Sequence, residues 1–401
     1  MSALRILHVA PYYEQAWAYG GIPRLTTTMT RALARRGHHV EVCTTDVCDA
    51  RSRARSSSAS DSRDVDVHTF PNISNRLAYH LQFFTPLGLR SHLKRTASTF
   101  DIAHLHACHN LPGVIAAAAL TRAGVPYVVS PNGTSRPIER RIAAKRLFAL
   151  TAGRRMLPEA ARVLAVSRSE VSQLLASGVA ERAIALIPNP IDSHEFENAR
   201  DGGQFRAALG IGQRPVVLFL GKLTPRKGVA DLVRAFAQLE REAVLVVAGN
   251  DMGAGATIDT AVRGLGLERR VCRTGLLTGG ERLEALTAAN VLVYPSRDEI
   301  FGLVPLEALL CGTPVVVCND SGCGEVIAAT GGGLRVPHGN PAALAKAIAS
   351  ILDDQPLWRH RAIIAAAVAK RLFGAETVCE QLEALYYSVL GVTAPARRMP
   401  A

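Results

Sequence analysis

Short apolar runs alternate with helix-length segments along almost the whole chain, and this alternation limits the possible folds more than any other feature. The runs have the β-branched, turn-bounded character of strands that are buried on both faces. They are LRILHVA (4–10), HVEVCTT (39–45), DIAHLH (101–106), PYVVS (126–130), RVLAVS (162–167), IALIP (184–188), PVVLFLG (215–221), AVLVVAG (243–249), VLVYPS (291–296) and TPVVVC (313–318). Such alternation predicts an α/β fold in which helices cover both faces of mainly parallel sheets.

The pattern stops once and then restarts. The stretch PNPIDSHEFENARDGGQ (188–204) is rich in Pro, Asn, Asp and Gly, and 401 residues are more than one core usually supports. We therefore predict two facing, doubly wound Rossmann-like domains at 1–190 and 205–375, joined by a hinge at 191–204. A last helix near 376–391 is expected to pack back on the first domain. Ligands of such folds bind outside the carboxyl ends of the strands, which predicts a cleft between the domains.

Composition limits the kinds of binding partner and the cellular compartment that we expect for this chain. The net charge of +12 suits a partner that carries phosphates, while the 5% aromatic content and the lack of a nucleic-acid motif argue against nucleic acid. The eight cysteines form no C-x-x-C pair, as expected for reduced thiols. No apolar run reaches the roughly 18 residues that a membrane span needs, and the N-terminus is typical of a first strand. We expect a cytoplasmic protein, soluble or peripheral.

The segment PSRDEIFGLVPLEALLCGTPVV (295–316) carries the strongest chemical signal. Glu299 is expected in a loop after a strand, and Glu307 in or just after the first turn of a helix that starts near Val304. The free N–H groups of that helix end, with Gly302 allowing close approach, predict a diphosphate site. A carboxylate there can accept the two hydroxyls of a ribose. The alternative is that both glutamates are ordinary polar residues at a helix start.

Four motifs together resemble those of glycosyltransferase family 4, the retaining enzymes of the GT-B fold, over nearly the whole chain. They are the Glu-x7-Glu segment, GKLTPRKG (221–228), YGGIPRLTTTMTRALARRGHHVEV (19–42) and DIAHLH (101–106). The resemblance implies a hexosyltransferase that takes a UDP- or GDP-linked sugar as substrate and needs no cofactor. It also implies an acceptor hydroxyl on a glycan or lipid-linked glycan, in cell-envelope or polysaccharide biosynthesis.

The resemblance further implies four catalytic residues. Lys222 and Lys227 would hold the donor diphosphate, although the family usually has Arg at the first position and Lys lacks its bidentate fork. Glu299 would contact hydroxyls of the transferred sugar. His106 would lie beside the reacting sugar, whereas its neighbour His104, on the same side of the strand, is expected to be structural.

The remaining site residues would contribute mainly backbone groups. Glu307 would accept the ribose hydroxyls, and the Gly20–Gly21 loop would reach the donor phosphate from the first domain. The segment Phe301, Gly302, Leu303 and Val304 would lie near the sugar and phosphates. Backbone groups of Leu276 and Leu277 would pair with the nucleobase, or form a plain turn. Asn132 and Gly133 would line the acceptor side.

The chemistry has a physical reason apart from the resemblance. Breaking a sugar–phosphate bond builds negative charge on the leaving diphosphate, and two lysines with a helix N-terminus would stabilise it. No Asp-x-Asp stands at a strand end, so no metal is expected. Retention would follow from attack on the face that the leaving group departs, with a phosphate oxygen taking the acceptor proton. A double displacement needs a nucleophile, for which the sequence offers no clear candidate.

A basic stretch and the rival functions stay open. Residues 136–155 carry seven Lys or Arg among apolar residues, which suits either an anionic membrane at the inner face of the plasma membrane or a solvated helix face. A nucleotide-sugar epimerase or hydrolase on the same fold is the alternative function, disfavoured by few acidic residues at the strand ends of the first domain. A dinucleotide oxidoreductase would carry G-x-G-x-x-G after its first strand, and this sequence has no such motif there.

Overall fold

The computed structural model describes residues 3–54, 65–135, 153–197 and 201–392. The chain divides into two compact units, Met1–Pro190 with Ala375–Ala401, and Ile191–Gly374. Residues 191–197 and 201–204, which the sequence assigns to the hinge, are counted in the second unit, and their role as a hinge stays a prediction.

Among the described residues, the first unit contains one parallel sheet of seven strands in the order β3-β2-β1-β4-β5-β6-β7. Between β1 and β4 the strand order reverses, which creates the switch point where ligands of such sheets bind. The strands are β1 (Arg5–Val9), β2 (His39–Thr45), β3 (Val65–Phe70), β4 (Ile102–His106), β5 (Tyr127–Ser130), β6 (Arg162–Ala165) and β7 (Ile184–Leu186).

Helices of the first unit include one from the far end of the chain. They are α1 (Gly21–Arg35), α2 (Asn75–Leu81), α3 (Leu89–Thr96), α4 (Leu111–Ala123), α5 (Arg168–Ala176) and the C-terminal α14 (Ala375–Leu390). Helix α14 packs on α1, and the hydroxyl of its buried Tyr386 lies 2.7 Å from Nδ1 of His104 in the sheet. Its Glu383 pairs with Arg36 and with His38, the latter at 2.7 Å.

The second unit repeats the plan with six parallel strands in the order β10-β9-β8-β11-β12-β13. Its switch point lies between β8 and β11. The strands are β8 (Val216–Leu220), β9 (Val244–Ala248), β10 (Val271–Gly275), β11 (Val291–Tyr294), β12 (Val315–Cys318) and β13 (Gly333–Val336). The helices are α6 (Gly203–Ala208), α7 (Val229–Phe236), α8 (Gly255–Gly264), α9 (Gly279–Ala288), α10 (Leu303–Leu310), α11 (Gly322–Thr330), α12 (Pro341–Asp353) and α13 (Gln355–Phe373).

Two parallel-sheet, Rossmann-like units confirm the predicted α/β class. The central strands were all visible as apolar runs because they are buried on both faces. Three edge strands, β3, β10 and β13, are missing from the predicted set because polar and half-exposed residues interrupt their apolar character. No helix among the described residues combines the length and the apolarity that crossing a bilayer requires.

Candidate active site

The predicted residues of the second unit lie after the carboxyl ends of its strands. Lys222 and Lys227 follow β8, Leu276 and Leu277 follow β10, and Glu299 follows β11. Since β8 and β11 flank the switch point, the loops that carry Lys227 and Glu299 start beside each other. Leu276 is exposed and Leu277 half-buried, and their contact with a nucleobase stays a prediction.

Lys227 and Glu299 form a buried ion pair. Lys227 lies in a 3-10 turn, Pro225–Lys227, and its ammonium donates to a carboxylate oxygen of Glu299 and to the hydroxyl of Tyr294. The same carboxylate oxygen accepts a hydrogen bond from Ser296 at 3.1 Å. Burial by itself would raise the pKa of Glu299, but the charges of Lys227 and Arg226 outweigh it and lower that pKa to about 2. Glu299 is therefore a carboxylate that accepts hydrogen bonds, and a poor proton donor, at neutral pH.

Glycine makes the approach of the two loops possible. Gly228 has φ of 66°, and a Cβ at that position would lie 2.3 Å from the carbonyl oxygen of Pro295. Any side chain there would push the Lys227 turn away from the loop that carries Glu299. Lys222 is half-buried earlier in the same loop as Lys227. Its contact with a diphosphate stays a prediction.

Helix α10 begins at Leu303, one residue before the predicted start near Val304. The reason is Gly302, the N-cap, whose φ of 83° turns the chain into the helix. A Cβ on Gly302 would lie 2.4 Å from Sγ of Cys323, so only glycine fits there. The side chain of Phe301 is buried and meets Phe373 edge-on at 5.3 Å, which leaves only its backbone for a ligand. The half-buried Leu303 and Val304 form the first turn.

Glu307 is held by a residue that the sequence reasoning missed. The buried guanidinium of Arg282, on α9, donates to the buried carboxylate of Glu307 and to Glu195 at 2.5 Å. Because the planar guanidinium of Arg282 bonds to both carboxylates, it fixes the orientation of each. Glu307 is thus positioned, one turn into α10, before any ligand arrives. The 25 and 87 residues that separate these partners explain why no local motif announces them.

In the first unit, His106 ends β4 at the switch point and belongs to a stack of three buried imidazoles. Its Nε2 lies 2.9 Å from Nδ1 of His8, and its ring lies 4.4 Å from that of His104. Burial lowers the pKa of His106 to about 3, so the ring is neutral at pH 7. Its Nδ1 has no hydrogen-bond partner within the described ranges. In contrast, both ring nitrogens of His104 are engaged, by Tyr386 and by Ser130, each at 2.7 Å.

The other predicted residues of this unit lie after neighbouring strands. Gly20, with φ of 95°, caps α1, and Gly21 is the first residue of that helix. Asn132, with φ of 50°, and Gly133 follow β5. The order β1-β4-β5 brings these loops and His106 to one edge of the sheet. Residues 136–152 of the basic stretch lie outside the described part of the chain, and the membrane contact of this stretch stays a prediction.

A buried carboxyl that the sequence reasoning also missed holds the loop of Gly133. Glu170 on α5 accepts the backbone N–H of Gly133 at 2.6 Å and that of Val166 at 2.9 Å. Burial outweighs both hydrogen bonds and raises the pKa of Glu170 to about 7. The loop expected on the acceptor side therefore depends on a carboxyl that titrates near neutrality.

Comparison with known proteins covers both units. Residues 19–195 match Glycosyltransferase Family 4, and residues 203–370 match Glycosyl transferases group 1. The D-inositol 3-phosphate glycosyltransferase of Acidothermus cellulolyticus is 30% identical over 355 residues, which are 83% of this chain and 78% of that protein. This chain belongs to the family 4 glycosyltransferases of the GT-B type.

Two more similarities agree with that assignment. The 2-deoxystreptamine N-acetyl-D-glucosaminyltransferase of Streptomyces fradiae is 30% identical over 300 residues, 71% of this chain and 70% of that protein. The crystal structure of Anabaena Alr3699/HepE in complex with UDP and glucose has a TM-score of 0.76 at 22% identity, and the match covers 96% of this chain and 100% of that one. The latter likeness concerns the fold. The predicted enzyme class is confirmed, while donor, stereochemistry, acceptor and metal independence stay predictions.

We predict that Glu170 makes the stability of this glycosyltransferase depend on pH. Its folded pKa of about 7 exceeds the usual 4.5, so between these values the folded chain binds more protons and stability falls as pH rises. Glu170→Gln removes this loss. Relative to wild type, the free energy of unfolding of the variant should rise by roughly 2–3 kcal/mol between pH 5 and 8. Denaturant unfolding at several pH values measures this, with the exposed Glu181→Gln as control; parallel profiles for wild type and Glu170→Gln would contradict it.

Proposed function

We propose that this chain is a retaining, metal-independent glycosyltransferase that moves a hexose from a UDP- or GDP-sugar to a hydroxyl of a glycan or lipid-linked glycan. The observation that carries the proposal is the buried Lys227–Glu299 pair next to the start of α10, with Glu307 fixed by Arg282 one turn further on. Such an arrangement offers a cation and free N–H groups for a diphosphate, and carboxylates for sugar and ribose hydroxyls.

Charge stabilisation of the leaving group is assigned to Lys227. Its ammonium is buried, and a charge in a dry site acts more strongly on a neighbouring phosphate than the same charge in water does. The free N–H groups at the start of α10 add the positive end of a helix dipole. These features supply the stabilisation that a divalent ion gives in other enzymes, which supports metal independence.

The protonation states support transfer with retention through same-face attack. With its pKa near 2, Glu299 holds no proton to give, and His106 is neutral with a pKa near 3. Neither group is therefore a good acid, and His106 is a weak base. A phosphate oxygen of the leaving diphosphate is then the suitable acceptor of the hydroxyl proton, because it gains negative charge as the bond breaks.

The acceptor and the compartment are proposed on other grounds. Relatives are named for D-inositol 3-phosphate and for 2-deoxystreptamine, so both compounds belong in an acceptor panel beside glycans and lipid-linked glycans. UDP leads the donor panel, since the HepE structure contains it. We place the protein in the cytoplasm, with the basic residues 136–155 as a candidate contact with anionic lipid on the inner face of the plasma membrane.

The activity itself is tested with UDP- and GDP-hexoses and the acceptor panel, after chelation with EDTA. We expect a product whose anomeric proton coupling, measured by NMR, shows the configuration of the donor, and turnover that EDTA leaves unchanged. An inverted product would refute retention, and recovery of activity only on adding Mg²⁺ or Mn²⁺ would refute metal independence. Incubation of donor without acceptor is the control, because an epimerised or hydrolysed sugar would favour the nucleotide-sugar epimerase or hydrolase.

We expect Lys227→Ala to lower kcat by about 10²–10³-fold, the usual cost of one group that stabilises transition-state charge. Lys346→Ala, which removes an exposed lysine from the same unit, is the matched control and should keep full turnover. Lys227→Ala leaves Glu299 buried without its cation, so the double variant Lys227→Met/Glu299→Gln, which removes both charges, is measured beside it. Circular dichroism checks that both variants are folded. A wild-type kcat in Lys227→Ala would show that Lys227 does not stabilise the leaving phosphate.

A second substitution separates ribose binding from phosphate binding. Glu307→Gln should weaken the affinity for UDP or GDP but leave that for inorganic pyrophosphate unchanged, because the carboxylate is assigned to ribose hydroxyls. Thermal-shift titration measures both; a nucleotide at 100 times its Kd stabilises the wild type by about 2.7 kcal/mol. Equal losses for pyrophosphate and nucleotide would mean that Glu307 acts through Arg282 on the phosphate site, and unchanged nucleotide affinity would exclude the ribose role.

A further inference from the structure

Three side chains from separate elements of the first unit meet at a point that the proposed transfer reaction does not use. Glu41 lies on β2, His68 on β3 and His92 on α3. Oε1 of Glu41 lies 2.9 Å from Nε2 of His92 and 3.5 Å from Nε2 of His68. All three ligand atoms lie within 4.8 Å of one another. Two imidazole nitrogens and a carboxylate oxygen are donors that Zn²⁺ commonly takes.

The sheet register explains why these side chains meet. On the parallel strands β2 and β3, Cys43 is paired with His68 and Glu41 with Asp66, so alternation places all four on one face. Helix α3 packs on that face through Leu89 and Leu93, which share a core cluster with Cys43. His92 precedes Leu93 on the helix and completes the group from above the sheet.

The separations suit a tetrahedral ion. With metal–ligand bonds of about 2.0–2.2 Å, neighbouring ligand atoms of a tetrahedral zinc site lie about 3.4 Å apart. The two distances from Glu41, at 2.9 and 3.5 Å, bracket that spacing. The side chains of Glu41 and His92 are each 15% exposed, whereas that of His68 is 42% exposed and has room to adjust. The exposure of His68 also gives water access to an ion held here.

Binding of a cation at this point would change the tautomers of the two imidazoles. One carboxylate oxygen faces Nε2 of both rings, so each neutral ring must carry its proton on Nε2 to bond to it. A bound ion would instead take the Nε2 lone pairs, and the protons would move to Nδ1. We propose that Glu41, His68 and His92 bind a zinc-like divalent transition-metal ion, which links α3 to β2 and the edge strand β3. Asp66 adds a second negative charge to the same face.

The stack of His8, His104 and His106 makes a useful contrast. Its ligand atoms are also close together, but all three rings are fully buried and no carboxylate is among them. A divalent ion there would bring two uncompensated charges into the core, which is costly. The Glu41 group has an anionic ligand and access to solvent, and so lacks this obstacle.

The test uses the full chain without a polyhistidine tag, stripped of metal and titrated with Zn²⁺ by calorimetry. We expect one Zn²⁺ per chain, and a loss of at least about 10-fold in affinity in His68→Ala and in Glu41→Gln. His194→Ala is the matched control, because His194 is an exposed histidine 3.3 Å from Glu197 and should bind as wild type does. Since His68 is half-exposed, its removal should preserve the fold, which circular dichroism checks.

Two spectroscopic readouts identify the ligands. Co²⁺ in place of Zn²⁺ should give the intense visible bands of tetrahedral coordination without a sulfur charge-transfer band, and ¹⁵N NMR should show two imidazoles changing from Nε2–H to Nδ1–H. Equal affinity in wild type, His68→Ala and Glu41→Gln would overturn the proposal. So would a sulfur charge-transfer band that alkylation of the eight free cysteines removes, since it would locate the ion on thiolates.

Discussion

The buried pair of Lys227 and Glu299 is the interaction on which the proposed chemistry depends. Burying two charges costs free energy that a pair of well-packed apolar side chains would not, so such a pair is weak evidence of selection for stability. Here the charges are kept, and Tyr294 and Ser296 satisfy their remaining hydrogen bonds. Gly228 is needed so that the turn can approach Pro295. The local backbone holds a cation in a dry place, as the proposed stabilisation of a leaving diphosphate requires.

The two units differ in the charge state of their central side chains. In the second unit the key groups are ionised and paired, Lys227 with Glu299 and Arg282 with Glu307. In the first unit the central groups are imidazoles that burial keeps neutral. An ionised site can stabilise a leaving anion, while a neutral one can orient a hydroxyl without taking its proton. This division agrees with a reaction in which the leaving group itself removes the acceptor proton.

The sequence predicts most of the fold because buried parallel strands are continuous apolar runs. It fails at β3, β10 and β13, whose edge positions leave one side of the backbone exposed and allow polar residues. It places the start of α10 to within one residue, and Gly302, whose left-handed conformation ends the loop, is the residue that fixes this start. The candidate site is predictable where the signal is local, as in the Glu299–Glu307 segment.

Long-range pairs escape sequence reasoning for a different physical reason. Arg282 bonds to Glu307 across 25 residues and Glu170 to Gly133 across 37, and nothing in the neighbourhood of either side chain reports its partner. Helix α9 looks like any amphipathic helix with a basic residue until folding buries that residue between two carboxylates. The strand order brings these distant segments to one edge and so makes the pairs possible.

The same reason bears on the metal. Asp-x-Asp, whose absence at the strand ends predicts no metal, is a local pattern, whereas Glu41, His68 and His92 span more than fifty residues and three elements. An ion held there would serve the architecture and leave the transfer step unaided by metal. Strand β3 stands at the end of the order of described strands, beside β2, and has a polar, half-exposed face. An edge strand of that kind gains little from apolar burial, so a coordinate link to β2 and α3 would stabilise it where the hydrophobic effect is weakest.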